Sequence, residues 1–199
     1  RRWPVLRGEF PGSVTECEGW LITGSRFGAY EGHPWIPPLE DFIRKAYAAH
    51  VPVVGICFGH QIIAQAMGGK VQKYGGGWSV GPTEYDFGDE RITLNAWHQD
   101  QVVEKPQGAE VVASTDFCAN AALLYDDRIF SVQPHPEFRK EFMEGLIKYR
   151  GPGLVPEGTL AEATARIDTQ LDSPKMADRI ARFFLNHQTK TTGAEKLRA

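Results

Sequence analysis

Three residues of this chain carry reactive chemistry at telling positions: Cys57, His135 and Glu137. Cys57 is the centre of Gly55-Ile-Cys-Phe-Gly59, the G-x-nucleophile-x-G pattern of a nucleophile on a sharp strand-to-helix turn. A larger side chain at either glycine would collide with the neighbouring strand and helix. The helix that follows aims its first N–H groups and its dipole at the turn, which favours a thiolate at Cys57. His135 sits in Gln133-Pro-His-Pro-Glu137. Its two flanking prolines fix the backbone and keep those residues out of a helix. Glu137 follows closely enough to hydrogen-bond the imidazole. The three supply a nucleophile, a base and a group that orients the base. That set performs acyl transfer through a tetrahedral oxyanion, which needs N–H donors. The residue after the nucleophile, Phe58, offers one; Gly24 and Ser25, at the end of another strand, offer the second. A lone G-x-C-x-G reads as a packed thiol, and a lone loop histidine as a surface feature. The strand before, the helix after and the downstream His-x-Glu favour the nucleophile.

These residues need rigid elements to hold them. Val51 to Ile56 is a short β-branched run and reads as a buried parallel strand. Ile62, Ile63, Ala66 and Met67 share a helical face, and Gly68-Gly69 stops that helix. Residues 18–23 form the first strand, Gly24 to Gly28 the loop at its carboxyl end, and residues 37–49 a helix. Short strands follow over 70–73, 78–80, 83–87 and 91–96, with turns at Gly75-Gly-Gly77 and Gly88-Asp89. Strands return over 109–114, 121–125 and 129–132, with a hairpin turn at Asp126-Asp-Arg128. Helices are expected over 138–149, 157–171 and 174–187, the last capped by Ser173 with Pro174 at its first position. Gln188 to Ala199 reads as a polar tail, and residues 1–187 as one domain. No strand–helix unit precedes Glu18, where an open α/β sheet usually has one. The expectation is therefore a first unit that is missing or residues before Arg1. The pattern predicts an α/β fold of the flavodoxin-like, doubly wound kind. It has a mostly parallel sheet, helices on both faces and a small antiparallel extension.

The 199 residues suffice for a real core, and a net charge of -3 offers no basic excess for nucleic acid. No run approaches the roughly 18 apolar residues that span a membrane. Cys17, Cys57 and Cys118 have no disulfide-like spacing, which fits a reducing, cytoplasmic setting. No P-loop or dinucleotide fingerprint occurs, so no cofactor is expected. His60 lies at a metal-like spacing from Cys57, but no second Cys/His pair joins it, so no metal is expected. Gly75-Gly-Gly77 lacks the strand-to-helix context of a phosphate cradle. Phe27, Tyr30 and Trp35 cluster near the mouth of the site, as packing or as a wall for a leaving group.

Gly55-Ile-Cys-Phe-Gly-His-Gln61 with the later His135-Pro-Glu137 resembles the class I (triad) glutamine amidotransferase family. The match covers most of residues 19–138. The stand-alone branch similar to the GMP-synthase amidotransferase domain is nearest, with the γ-glutamyl peptidases beside it. The resemblance implies that Cys57 attacks the carboxamide of glutamine or another γ-glutamyl amide and forms a γ-glutamyl thioester. It places the glutamine-contacting residue at Gln61 and the substrate-backbone segment at Trp97, His98 and Gln99. The family's Gly-Gly-Pro before the oxyanion hole is here Gly24-Ser-Arg26, a departure. Two versions of the activity stand: a self-contained γ-glutamyl hydrolase or transferase, and an ammonia-supplying subunit for a separate synthetase. A cysteine-elbow peptidase would take its histidine close behind the cysteine, and a silent binding module would have a broken triad.

Overall fold

The computed structural model describes residues 1–196, and their side chains as far as His187. At its centre is a five-stranded sheet built from β1 (Trp20–Ile22), β2 (Val53–Ile56), β7 (Ala109–Ala113), β8 (Ala122–Tyr125) and β9 (Ile129–Val132). Their order is β1-β2-β9-β8-β7. β1 pairs with β2, and β2 with β9, in parallel; β8 runs against both of its neighbours. Four of the five strands therefore point the same way. Every residue of β2 and β9 is buried, as a strand covered on both faces must be, which explains its continuous apolar run.

Helices α1 (Ile36–Ala48) and α2 (Phe58–Ala66) cover one face. Ile36, Leu39 and Ile43 of α1 and Ile62 and Ile63 of α2 join Val53, Leu123 and Ile129 of the sheet in one core. Burying side chains of this size contributes about 1.5–3 kcal/mol each. α1 opens on Ile36-Pro-Pro38, where prolines in the first turn cost no hydrogen bond. His50 takes a left-handed φ of 57° past its end and turns the chain into β2. On the other face lie a ribbon of β4 (Ser79–Asp86) and β5 (Arg91–His98) and the long α5 (Ser173–Lys196). Tyr85, Ile92 and Leu94 of the ribbon and Met176 of α5 pack there with Phe130 and Val132. α3 (Lys140–Tyr149) and α4 (Glu157–Ala165) close over the ribbon through Met143, Ala163 and Val80.

Several boundaries differ from those the sequence predicts. The two strands expected over 78–80 and 83–87 are one, β4. Gly81 adopts φ +83° and the ladder runs through it and Pro82, so the glycine bends the strand instead of ending it. The extension divides in two, because a separate ribbon joins β3 (Lys70–Lys73) to β6 (Asp100–Glu104). β6 was not expected; Val102-Val103 between polar residues is a weak signal. α2 is not amphipathic: Phe58 to Ala64 are all buried, since it lies between the sheet, α1 and the β3–β6 ribbon. α4 stops at Ala165, short of 171. Ser173 is not the cap of α5 but already part of it. The Met176 N–H donates to the carbonyl of Asp172, the residue before the helix. α5 also continues past His187 to Lys196, through most of the stretch expected as a polar tail. Residues 197–199 lie outside the described residues. Among the described residues no helix is long and apolar enough to cross a membrane.

Candidate active site

The parallel pairing brings distant residues to one edge of the sheet. Val53–Ile56 of β2 lie in register with Ile129–Val132 of β9, so both strands end side by side. Cys57 directly follows β2 and His135 comes shortly after β9. The end of β1, followed by Gly24 and Ser25, flanks β2 on the other side. Carboxyl ends of strands are where open α/β sheets form their sites.

Cys57 holds φ 51° and ψ -102°, a conformation that L side chains rarely adopt. The packing that imposes it is visible at the glycines. A Cβ on Gly59 would lie 2.1 Å from the Ile22 carbonyl oxygen, and one on Gly55 would lie 2.6 Å from the backbone of Gly59. β1, β2 and α2 therefore meet with no room for a side chain at either position. The Cys57 N–H donates to the Val132 carbonyl at 2.9 Å, which ties the turn to β9. Phe58 is the first residue of α2, so its N–H has no acceptor one turn back.

The loop after β9 is held as firmly. Asn95 of β5 accepts the His135 N–H on its carbonyl at 2.8 Å, and its side-chain amide donates to the Phe138 carbonyl at 3.0 Å. His135 is 5 % exposed. Its Nδ1 donates to Glu137 Oε1 at 2.7 Å, which leaves Nε2 for its hydrogen bond with Cys57. Phe138 stacks on the imidazole at 3.8 Å between centroids and 6° between planes. On Gly24, a Cβ would lie 2.8 Å from His135 Cε1 and 3.7 Å from Cys57 Cβ, so the ring fits against bare backbone there. Burial pulls the His135 pKa down. The Cys57 sulfur and the Glu137 carboxylate outweigh it and raise the value from 6.5 to about 9.

A cavity of about 360 Å³ opens over Cys57. Ser25, Gln61, Trp97, His98 and Gln99, all expected at the site, line it. Gln61 is nearly closed off, however. Its Nε2 donates to the Asp100 carbonyl at 2.9 Å and to Gln133 Oε1 at 3.2 Å, which leaves only its oxygen uncommitted. His98 is buried, with its pKa pushed down to about 3 by desolvation. Trp97 packs edge-on against Trp78 at 6.0 Å. Tyr30 and Phe27 reach the cavity wall, while Trp35 is buried behind them against Phe58. His60 bonds Ser131 within the core at 2.8 Å. Gly75 to Gly77 make a turn, with the Gly77 N–H on the Tyr74 carbonyl.

Four neighbours of the site were not foreseen. Gln133 is fully buried and its Nε2 donates to Cys57 Sγ at 3.6 Å. Asn95 and Phe138 clamp the histidine loop, and Asp100 lines the cavity. Gln133 had one usable signal, a polar residue at the very end of an apolar strand. The other three act through contacts between distant segments.

The chain is similar to known proteins in sequence and in fold. Residues 24–146 match the family described as glutamine amidotransferase class-I. A glutamine amidotransferase-like protein of Schizosaccharomyces pombe is 34% identical over 176 residues, 83% of this chain and 71% of its own length. Gamma-glutamyl peptidase 4 of Arabidopsis thaliana is 30% identical, over 92% of this chain and 80% of its own. The crystal structure of a glutamine amido transferase from Methylobacillus flagellatus shares the fold, with a TM-score of 0.74 and 24% identity, covering 91% of this chain and 81% of that one. With the matched segment running from the Gly24 loop through both strand ends and the histidine loop, the chain belongs to the class I glutamine amidotransferase family.

Proposed function

We propose that the protein is a γ-glutamyl amidase in which Cys57, His135 and Glu137 act as a triad on the γ-carboxamide of glutamine or γ-glutamyl amides. The observation that carries this is the strained Cys57 with His135 bonded between its sulfur and Glu137. The Cys57 thiolate attacks the carbonyl carbon, and the N–H groups of Phe58 and of Ser25 or Gly24 receive the oxyanion. His135, held as an imidazolium, protonates the departing nitrogen, and ammonia or an amine leaves a γ-glutamyl thioester. The now neutral imidazole takes a proton from water, or from an acceptor amine, as it attacks the thioester. Glutamate or a transferred γ-glutamyl group departs and the thiolate returns. Glu137 keeps Nδ1 protonated and Nε2 directed at the sulfur. Gln61 and the segment Trp97–Gln99 read the glutamyl part. The matched gamma-glutamyl peptidase supports amides larger than glutamine as substrates. Glutamine, γ-glutamyl dipeptides and glutathione conjugates incubated with the isolated chain test this by glutamate release. Release from at least one of them is expected, and release from none would refute it.

Two further outcomes follow from the geometry. Because the imidazolium donates the proton, kcat/KM should hold up to neutral pH and fall as pH rises through about 9, where His135 loses its proton. A profile still rising beyond pH 10 would contradict this role. Iodoacetamide at neutral pH should modify Cys57 before Cys118, whose thiol burial pushes up to about 12, and before Cys17, which has no imidazole bonded to it. Peptide mass mapping over time reads the order. Faster labelling of either of the other two would count against a standing thiolate–imidazolium pair.

A further inference from the structure

Gln133 is a polar side chain in a place that an apolar one could fill. It directly follows β9, every residue of which is buried, and is itself 0 % exposed. A buried amide is costly unless its donors and acceptors are used. Both ends of this one are used, and both lead into the site. Its Oε1 accepts from Gln61 Nε2 at 3.2 Å. Its Nε2 donates to Cys57 Sγ at 3.6 Å, a hydrogen-bond distance for the larger sulfur atom. Backbone bonds pin the two partners. The Gln133 N–H donates to the Ala121 carbonyl at 2.7 Å, and the Cys57 N–H donates to the carbonyl of Val132, the residue before Gln133.

The direction of that amide is dictated from outside it. The Asp100 carbonyl only accepts, so the Gln61 atom facing it at 2.9 Å is the nitrogen. The same nitrogen faces Gln133, so the Gln133 atom beside it is the oxygen. The nitrogen end of Gln133 is then left for the sulfur. A thiol or thioester sulfur is a weak acceptor and a thiolate is an anion. An N–H aimed at the sulfur therefore favours the thiolate over both. The need is real, because Cys57 is only 6 % exposed and a buried charge must be met by donors where water is excluded. His135 is one such donor, and Gln133 approaches the same atom.

We infer that Gln133 is a further catalytic group whose side-chain amide solvates the Cys57 thiolate, both before it attacks and as it leaves the thioester. This rests on the amidase reading above and adds a group to it. Of the titratable groups around the sulfur, His135, with Glu137 behind it, supplies the counter-charge. The other elements packed there bring His60 of α2, His98 of β5, Tyr85 of β4 and Cys118 from the loop after β7. Desolvation holds His60 at about 4 and His98 at about 3, pushes Cys118 up to about 12 and raises Tyr85 well above its usual value. All four are therefore uncharged around neutral pH. Arg26, Lys73, Arg150, Glu31 and Asp100 line the cavity over the sulfur and stay the same when position 133 is changed.

The test is the pH dependence of Cys57 labelling by iodoacetamide, which needs no turnover, in wild type and Gln133→Leu. Labelling rises with pH as the thiolate forms. The pH of half-rise should move up by about one unit in the variant, a tenfold change, near the lower end for a hydrogen bond to a charged group. The acid limb of kcat/KM on a γ-glutamyl amide should move with it. The fall through about 9 should stay in place, because the thiolate is present on both sides of it. A residue with only a structural role would lower the labelling plateau and leave the half-rise where it is. That outcome overturns the catalytic role while the amidase reading stands. If Gln133→Leu folds poorly, Gln133→Met, with an unbranched side chain, takes its place. Wild type also carries a check of its own: the NMR signals of the Gln133 side-chain amide should shift in the same pH step as the labelling. Signals that stay still through that step overturn the role. Release of glutamate from no γ-glutamyl amide would instead remove the amidase reading, and the catalytic role with it, whatever the labelling shows.

Discussion

Replacing Cys57 by alanine is expected to cut glutamate release at least a thousandfold, by about three powers of ten or more, with the melting temperature close to that of wild type. Two features make so large a loss the expected one. Cys57 is the one cysteine whose sulfur is hydrogen-bonded by the buried His135, and the same sulfur receives Gln133. Nothing else lining the cavity combines a nucleophilic atom with an imidazole in contact. Serine at position 57 should do little better, because His135 and the helix N-terminus are arranged around an anion that a hydroxyl does not readily become. Cys17→Ser, half-buried and remote from the cavity, should leave the rate unchanged. A Cys57→Ala protein retaining more than about a hundredth of the wild-type rate would mean that bond cleavage occurs elsewhere.

The largest expected effect on stability comes from a single methyl group. Gly59→Ala puts a Cβ 2.1 Å from the Ile22 carbonyl oxygen and 2.9 Å from its carbon. These are backbone atoms of β1 held in register with β2, so neither can swing aside as a side chain would. α2 must lift off the sheet, and Ile62 and Ile63, both fully buried, lose their packing with it. Overpacking alone costs about 1–3 kcal/mol, and displacement of a helix from the core places this case at about 3 kcal/mol or beyond. In a chain of this size that lowers the melting temperature by about 6–12 °C. Thermal unfolding followed by circular dichroism measures it, and a variant melting within 2 °C of wild type, below the shift of roughly 1 kcal/mol, would show that the elbow is not closed by backbone contact. Gly8→Ala is the useful contrast for space alone: a Cβ there meets nothing within 4 Å, although its φ of 75° strains any L residue.

These two positions also show why the centre of the site was legible in the amino-acid sequence. A residue forced to positive φ between a strand and a helix needs glycine on both sides, and glycine is visible in a sequence. The prolines around His135 are visible for the same reason, since they limit the backbone whatever surrounds them. β2, β9, α1 and the Asp126 hairpin turn were readable because their apolar runs or turn residues are local. Asp126 indeed takes φ 51° and joins β8 to β9. What could not be read depends on partners far along the chain. The single strand β4 needed the knowledge that Ala163 lies against Gly81, where a bend rather than a turn results. α2 looked amphipathic because nothing local shows that α1 and the β3–β6 ribbon close its outer side. Gln133 follows the end of β9, Asn95 lies within β5 and Phe138 closes the histidine loop, and only the packed fold turns them towards Cys57 and His135. Asp100 is similar: its carboxylate gains meaning from Tyr30 and Gly28, which arrive from the loop after β1.

The most direct measurement of the mechanism is to trap the acyl-enzyme. Wild-type protein mixed with a γ-glutamyl amide it turns over is quenched in acid within the first turnovers, digested and mapped by mass spectrometry. The expected result is one glutamyl group on the peptide carrying Cys57, removed by hydroxylamine as a thioester should be and missing from His135→Asn protein. Glutamate that accumulates while Cys57 stays unmodified at every quench time, and that still forms in Cys57→Ala protein, would contradict a covalent intermediate at this residue.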